Sequence, residues 1–430
     1  MSAPAKDLSG WLEYIERIHP KTIEMGLERV REVRERLGSD TGAALFVVGG
    51  TNGKGSTCAL LEAIALAAGY RVGLYTSPHL LRYNERVRVG GRPVDDERLV
   101  AGFEGVERAR ARAGREVPLT YFEFGTLAAW EIFCAEALDV VILEVGLGGR
   151  LDAVNVYDAD CAVLTRIGID HTDYLGPTRE SIGAEKAGIF RPGRPAIVAD
   201  PRPPETVLEA ARRVGADLRL IGRDFGYRAE GAQWMFWGRE GRRPGLAHPA
   251  LRGTSQLANA SAALAALETQ RGRVPVGAQD VRTGLARVEL PGRFQVLPGR
   301  PTVILDVAHN PQAAAVLAEN LGAMGFYPET YAVFGMLKDK DIAGVCAALK
   351  GRVSAWFAAS LTGPRAASSA DLARAIAESG AGGDVTQYAS PAQAYAAARS
   401  RAGENDRIVV FGSFLTVAEI MAGQSGTRGT

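Results

Sequence analysis

The stretch VVGGTNGKGST, Val47–Thr57, decides the fold. It closes the apolar run ALFVVGG, which reads as a buried strand. It opens GSTCALLEAIALAAGY, which reads as a helix closed by Gly69. Between the two, Gly49, Gly50, Gly53 and Gly55 let the backbone turn tightly and aim N–H groups at an anion, and a helix starting near Lys54 adds the positive end of its dipole. Lys54 supplies a point charge for β- and γ-phosphates, and Ser56 or Thr57 can serve a magnesium shell. The spacing departs from the standard phosphate loop: Val48 and Gly55 stand where that motif has Gly and Ser or Thr.

Outward from this loop the pattern repeats. RVGLYTS, DVVILEVG, CAVLTRIG and PAIVA read as further buried strands, and FGTLAAWEIFCAEAL as a helix. Near-continuous apolar strands alternating with helices predict a doubly wound, mostly parallel α/β sheet of the phosphate-loop type. Phe225–Pro249 turns Gly- and Trp-rich and reads as a small antiparallel excursion, followed by Ala-rich helices. ELPGRFQVLPGR, with two Pro-Gly pairs, reads as a linker. After it the alternation restarts with TVILDVA, TYAVFGM, VSAWFAA and DRIVVFGS, a second and smaller α/β domain. The expected division is 1–292, a linker at 293–300, and 301–430.

A chain of 430 residues is longer than single cores usually support, which fits two domains. With 47% hydrophobic and 23% charged residues and a net charge of +1, nothing in bulk points to nucleic acid or an acidic membrane surface. No apolar run reaches the ~20 residues of a membrane helix, and the charged N-terminal stretch lacks a signal-peptide core. Cys58, Cys134, Cys161 and Cys346 are scattered, as buried free thiols in a reducing cytoplasm would be.

Only seven of the 50 Lys and Arg residues are lysines: Lys6, Lys21, Lys54, Lys186, Lys338, Lys340 and Lys350. The chain writes Arg where a generic positive charge suffices, so a remaining lysine can mark a need for an amine; Lys6, Lys21 and Lys350 read as drift. Lys186 lies on an apolar stretch where a buried cation is costly. It reads either as a snorkelling lysine or as an amine that takes up CO2 to become an anionic carbamate. Glu144 ends the run DVVILE at the carboxyl edge of a central strand, where open α/β sheets bind ligands; magnesium wants such oxygen ligands. Ser77 follows another strand on that edge. His171, like His79 and His309, falls just beyond a predicted strand.

Together, GTNGKGST, TSPHLLRYNERVRV, LTYFEFGTLAAW, LEVGLGGRLDAVN, GIDHTDYLGPTRESIGAEKAGIF, LPGRFQV, LDVAHNP, VFGMLKDKD and FGSF resemble the folylpolyglutamate synthase/dihydrofolate synthase family of the Mur ligase superfamily, in chain order from about Trp11 to Ile420. The resemblance implies an ATP-dependent ligase that joins L-glutamate to dihydropteroate and to reduced folates through an acyl phosphate. Gly53, Lys54, Gly55 and Ser56 would cradle the phosphates, with Asn259, Arg293 and Asp306 also on ATP. Ser77, Glu144 and His171 would hold magnesium, two ions in all, and Lys186 would be carbamylated. Lys54, Lys186, Arg293 and His309 would carry catalysis. Thr120, Phe122, Asp152 and Ala153 would line the pterin pocket, although Phe122 fits helix-edge core equally well. Arg82 would meet a substrate carboxylate, and His309 and Ser413 would place the incoming glutamate. The family pattern implies a site in the cleft between domains, completed on closure, in a cytoplasmic monomer.

Alternatives remain open at this point. One is a folylpolyglutamate synthase with little action on dihydropteroate. Another is a cell-wall Mur ligase, disfavoured because a phosphate loop beginning at Gly49 leaves no room for an N-terminal UDP-sugar domain. The last is a nucleotide-binding regulator without catalysis, which would not need Glu144, His171, Lys186 and Arg293 together.

Overall fold

Six consecutive buried residues, Ala44–Gly49, form the strand that delivers the phosphate loop. The computed structural model describes residues 7–21, 23–112 and 115–425; Lys6 and the end of the polar tail lie outside them. Among the described residues the chain forms two units. One comprises Met1–Ile167, Leu175–Pro249 and Leu257–Val288. The other comprises Gly168–Tyr174, Ala250–Gln256 and Glu289–Thr430.

The first unit carries an eight-stranded sheet of Ala44–Gly49 (β1), Val72–Tyr75 (β2), Val87–Val89 (β3), Arg92–Pro93 (β4), Val140–Glu144 (β5), Cys161–Leu164 (β6), Pro195–Val198 (β7) and Asp217–Leu220 (β8). The spatial order is β4-β3-β2-β5-β1-β6-β7-β8. β2, β5, β1, β6, β7 and β8 run parallel, and β3 and β4 extend the edge antiparallel. β1 and β5 are buried on both faces, as continuous Val/Ile/Leu runs in a parallel sheet require. The helix Tyr121–Cys134 opens with a capping box, the Thr120 side chain accepting from Glu123 N–H and the Glu123 carboxylate from Thr120 N–H. Trp130 of that helix stacks on Tyr157 with ring centroids 3.8 Å apart.

Gly226–Glu230 (β9), Gln233–Gly238 (β10) and Gly241–Ala247 (β11) form the antiparallel excursion as a separate three-stranded sheet. The second unit is built on Gln295–Leu297 (β12), Thr302–Leu305 (β13), Thr330–Phe334 (β14), Ala355–Ala359 (β15), Asp384–Tyr388 (β16) and Arg407–Phe411 (β17), in the order β12-β13-β17-β14-β15-β16. Five of these strands are parallel and β12 is antiparallel to β13. Its core gathers Ile304, Phe334, Trp356 and Phe411.

Two expectations need correction. The stretch read as a linker contains β12, because Gln295, Val296 and Leu297 pair with Leu305, Ile304 and Val303. The chain also does not divide at one point: two short segments from within the first 292 residues belong with the second unit. Among the described residues no helix is long and apolar enough to cross a membrane.

Candidate active site

In the first unit the phosphate loop leaves β1 between β5 and β6, and its shape depends on two glycines. Gly50 has φ +139° and Gly53 has φ +96°. A Cβ on Gly50 would stand 1.9 Å from Thr165 Oγ1, and one on Gly53 2.6 Å from Asn259 Oδ1. Thr51 N–H donates to Arg166 O at 2.8 Å and Thr165 Oγ1 to Gly49 O at 3.1 Å, pinning the loop to the chain that leaves β6. Gly53 then caps the helix Lys54–Ala67, whose first-turn N–H groups face the loop. Gly50→Ala is expected to lower unfolding free energy by about 1–3 kcal/mol through backbone strain and the Thr165 clash. Gly42→Ala, where an added Cβ meets nothing within 4 Å, should leave it unchanged; chemical denaturation of both variants measures the contrast.

Two lysine side chains converge on one carbonyl. Lys54 Nζ donates to Gly50 O at 3.1 Å and to Thr51 O at 3.2 Å, and Lys186 Nζ donates to the same Gly50 O at 2.9 Å. Lys186 is 5% exposed, and its amine arrives from the end of the helix Arg179–Lys186. Glu144 is equally buried and lies in register with Val48, one residue before the end of β1. Ser77 N–H donates to Glu144 Oε2 at 3.1 Å, so these two expected metal ligands do meet. Thr57 Oγ1, in the first turn of the loop's helix, is buried without a hydrogen-bond partner. An all-oxygen donor set of hydroxyls and one carboxylate, beside a helix N-terminus, fits a magnesium–phosphate group. Among the described residues no three His, Cys, Asp or Glu side chains gather as a metal cage, and magnesium bound mainly through phosphate does not need one.

The loop after β5 brings the expected pterin residues together. The Phe122 ring covers Gly146 so closely that a Cβ there would lie 2.6 Å from Phe122 Cζ, and its centroid is 5.9 Å from that of Tyr75. Asp152 accepts from Leu147 N–H at 2.7 Å and Val154 N–H at 3.1 Å, and burial pushes its carboxyl up to about 6. Ala153 is buried beside it. Thr120 spends its hydroxyl on the helix cap. Arg82 points elsewhere: it is exposed, pairs with Asp96 at 3.0 Å, and rims a cavity of about 550 Å³ with Asn84, Glu85 and Val94. His79 accepts from Arg86 Nε at 2.8 Å, and burial followed by that guanidinium brings its imidazole down to about 4.

In the second unit, Phe414 at the start of the helix Phe414–Ser425 collects three expected residues. The Arg293 guanidinium lies 4.9 Å from its ring centroid and the His309 ring 6.1 Å, while Ser413 precedes it in the chain. Ser413 Oγ accepts from Leu415 N–H at 3.2 Å. Asp306 accepts from Phe294 N–H at 2.9 Å and Ala308 N–H at 2.8 Å, which holds the turn at Phe294, φ +45°, and burial pushes its carboxyl up. His309 Nδ1 lies 2.8 Å from Val307 O, a geometry in which Nδ1–H donates. His171 has φ +54°, and its N–H donates to Asp170 Oδ1.

Asp170 and Lys340 were not singled out by sequence. Lys340 Nζ is 2.6 Å from Asp170 Oδ1, and Asp170 Oδ2 faces His309 Nε2 at 3.6 Å and His171 Nε2 at 3.8 Å. These cations hold the Asp170 carboxyl well below the usual carboxylate range despite its burial. The sequence signals were the scarcity of lysine and the places of the two residues in the motifs GIDHTDYLG and VFGMLKDKD.

The description Mur ligase, glutamate ligase domain, matches residues 292–414. The chain is 48% identical over 418 residues to the dihydrofolate synthase/folylpolyglutamate synthase of Escherichia coli strain K12, covering 97% of this chain and 95% of that one. It belongs to the dihydrofolate synthase/folylpolyglutamate synthase family. The Haemophilus influenzae family member is 41% identical, covering 96% of this chain and 97% of its own. The structure of E. coli FolC in complex with DHPP and ADP superimposes with a TM-score of 0.93 at 46% identity, over 100% of this chain and 99% of that one. A family structure with Mn, AMPPNP and L-glutamate bound gives 0.89 at 45% identity, over 99% and 98%.

Proposed function

We propose that this chain is an ATP-dependent ligase that adds L-glutamate to dihydropteroate and to tetrahydrofolates. The observation that carries the reading is the grouping of a helix-capping phosphate loop, two buried lysines on one loop carbonyl and a strand-end glutamate, in a chain whose family members bind nucleotide, DHPP and glutamate.

A carboxylate resists amines because oxide is a poor leaving group. Transfer of the terminal phosphoryl of ATP to a carboxylate oxygen gives an acyl phosphate and ADP. The glutamate amine then adds to the acyl carbon, the C–O bond breaks, and phosphate departs with the former carboxylate oxygen as the nitrogen loses its proton. Positioning and charge neutralisation carry most of such catalysis.

We assign Gly53, Lys54, Gly55 and Ser56 to the phosphates, and Asn259, Arg293 and Asp306 to other parts of ATP. Arg293 would offset charge on the transferring group. Ser77, Glu144 and His171 are assigned to magnesium, which supplies charge neutralisation of the phosphates when bound. Lys186 suits carbamylation: its ammonium losing one proton, and the free amine adding to CO2 with loss of a second, would replace one of two like charges meeting at Gly50 O with an anion. Thr120, Phe122, Asp152 and Ala153 are assigned to the pterin, Arg82 to a substrate carboxylate, and His309 and Ser413 to glutamate. Asp152 has both oxygens on backbone N–H groups, yet each oxygen has a second lone pair for a pterin donor. We further place the enzyme in the cytoplasm as a monomer.

The test is a substrate panel. Purified protein with ATP, magnesium and L-glutamate should release phosphate with dihydropteroate and again with tetrahydrofolate. Release with tetrahydrofolate alone reduces the function to folylpolyglutamate synthesis, and release with neither overturns the ligase reading.

A further inference from the structure

Resting on the ligase reading above, we infer that Lys340 is a positioning residue for the step in which glutamate attacks: its ammonium holds Asp170, and Asp170 fixes the His309 imidazole.

The two side chains of the pair are 7% and 9% exposed, and their nitrogen and oxygen lie 2.6 Å apart although the residues are 170 positions apart. Such a pair is not a surface ornament, since burying both ions carries a large desolvation cost that needs close geometry and further hydrogen bonds to offset it. The further bonds are present. Oδ1 of Asp170 also accepts the N–H of His171 at 2.8 Å, and Asn310 Nδ2 approaches Oδ2 at 3.4 Å. Oδ2 is thereby turned toward His309 Nε2 at 3.6 Å, while the other nitrogen of that ring is engaged by Val307 O at 2.8 Å. The imidazole is held at Nδ1 and faces the Asp170 carboxylate at Nε2, just beyond hydrogen-bond distance. Lys340 Nζ also lies 3.5 Å from His171 Nε2.

The charge argument points the same way. Glutamate brings two carboxylates. A buried Asp170 without its counter-ion would repel them and would have only the imidazoles of His309 and His171 facing it among the described residues. With Lys340 in place the carboxylate orients the ring at little net charge. An outer partner that fixes a first-contact group in this manner is worth about 10- to 100-fold in affinity or activity.

Lys340→Met is therefore expected to raise the glutamate KM by about 10- to 100-fold while the KM for dihydropteroate stays at the wild-type value. Lys340→Gln, which keeps a donor but no charge, is expected to behave alike and decides the matter if the methionine variant does not fold. Because Lys340 acts through Asp170, adding Asp170→Asn to Lys340→Met should raise the glutamate KM no further than the more severe single variant does. A glutamate KM unchanged in a folded Lys340→Gln protein, or independent, multiplying effects of the two substitutions, would overturn the proposal. Wild-type protein that shows no glutamate-dependent phosphate release sinks the ligase reading itself, and that is seen before any variant is made.

Discussion

Lys186→Ala is expected to lower glutamate-dependent phosphate release by about 10²- to 10³-fold, the scale of losing one preorganised electrostatic group at a charge-transfer site, and to regain part of that rate when formate or acetate is added. The expectation follows from where the amine sits. It is buried, within hydrogen-bond reach of Gly50 O, and shares that oxygen with Lys54. Two cations on one acceptor repel, so a lysine kept here for its charge alone would weaken the loop it touches. An amine kept for conversion to a carbamate would not. Truncation to alanine leaves space for a small free carboxylate to stand in for the missing anion. Steady-state phosphate release with and without the added acid is the measurement. Full activity of the alanine variant, or a deficit that no short acid relieves, removes the carbamate.

Glu144→Ala should abolish magnesium-dependent phosphate release, by about 10²-fold or more on the same scale, with the circular-dichroism spectrum unchanged. The residue ends β5 in register with Val48 and receives the Ser77 N–H. Its loss therefore removes a carboxylate from the carboxyl edge of the sheet and leaves one amide without a partner, at a structural cost of about 1–3 kcal/mol. That cost is small beside the expected loss of rate, so a folded and inactive variant separates the two. Retained turnover at ordinary magnesium concentrations would mean the metal is held by other groups.

Much of the architecture was legible because buried parallel strands must be apolar on both faces. β1, β5, β6, β14, β15 and β17 stand out as uninterrupted runs for that reason. The strands that escaped notice are edge or near-edge strands. β8, β12 and β16 are only partly buried and carry Asp, Arg, Gln or Thr, so their composition does not differ from that of a loop. The site divides in the same way. Gly50, Gly53 and Lys54 are neighbours in sequence and announce themselves. Asp152 and Asp306 were read as ligand-facing carboxylates, but each also accepts from the backbone two residues ahead, at Val154 and Ala308. That is a local turn habit of aspartate which the sequence could have suggested. The Asp170–Lys340 pair could not have been suggested, since its members come together only through the tertiary fold.

The placement of Gly168–Tyr174 with the second unit bears on any attempt to express the enzyme in halves. A fragment starting at Glu289 would be synthesised with Lys340 but without Asp170, the carboxylate 2.6 Å from its ammonium, and a truncation to the preceding residues would keep Asp170 stripped of its ammonium. A single cut before Glu289 therefore leaves segments of the second unit, Gly168–Tyr174 and Ala250–Gln256, on the other fragment. Partition of this protein needs two transplanted heptapeptides, not a pair of scissors.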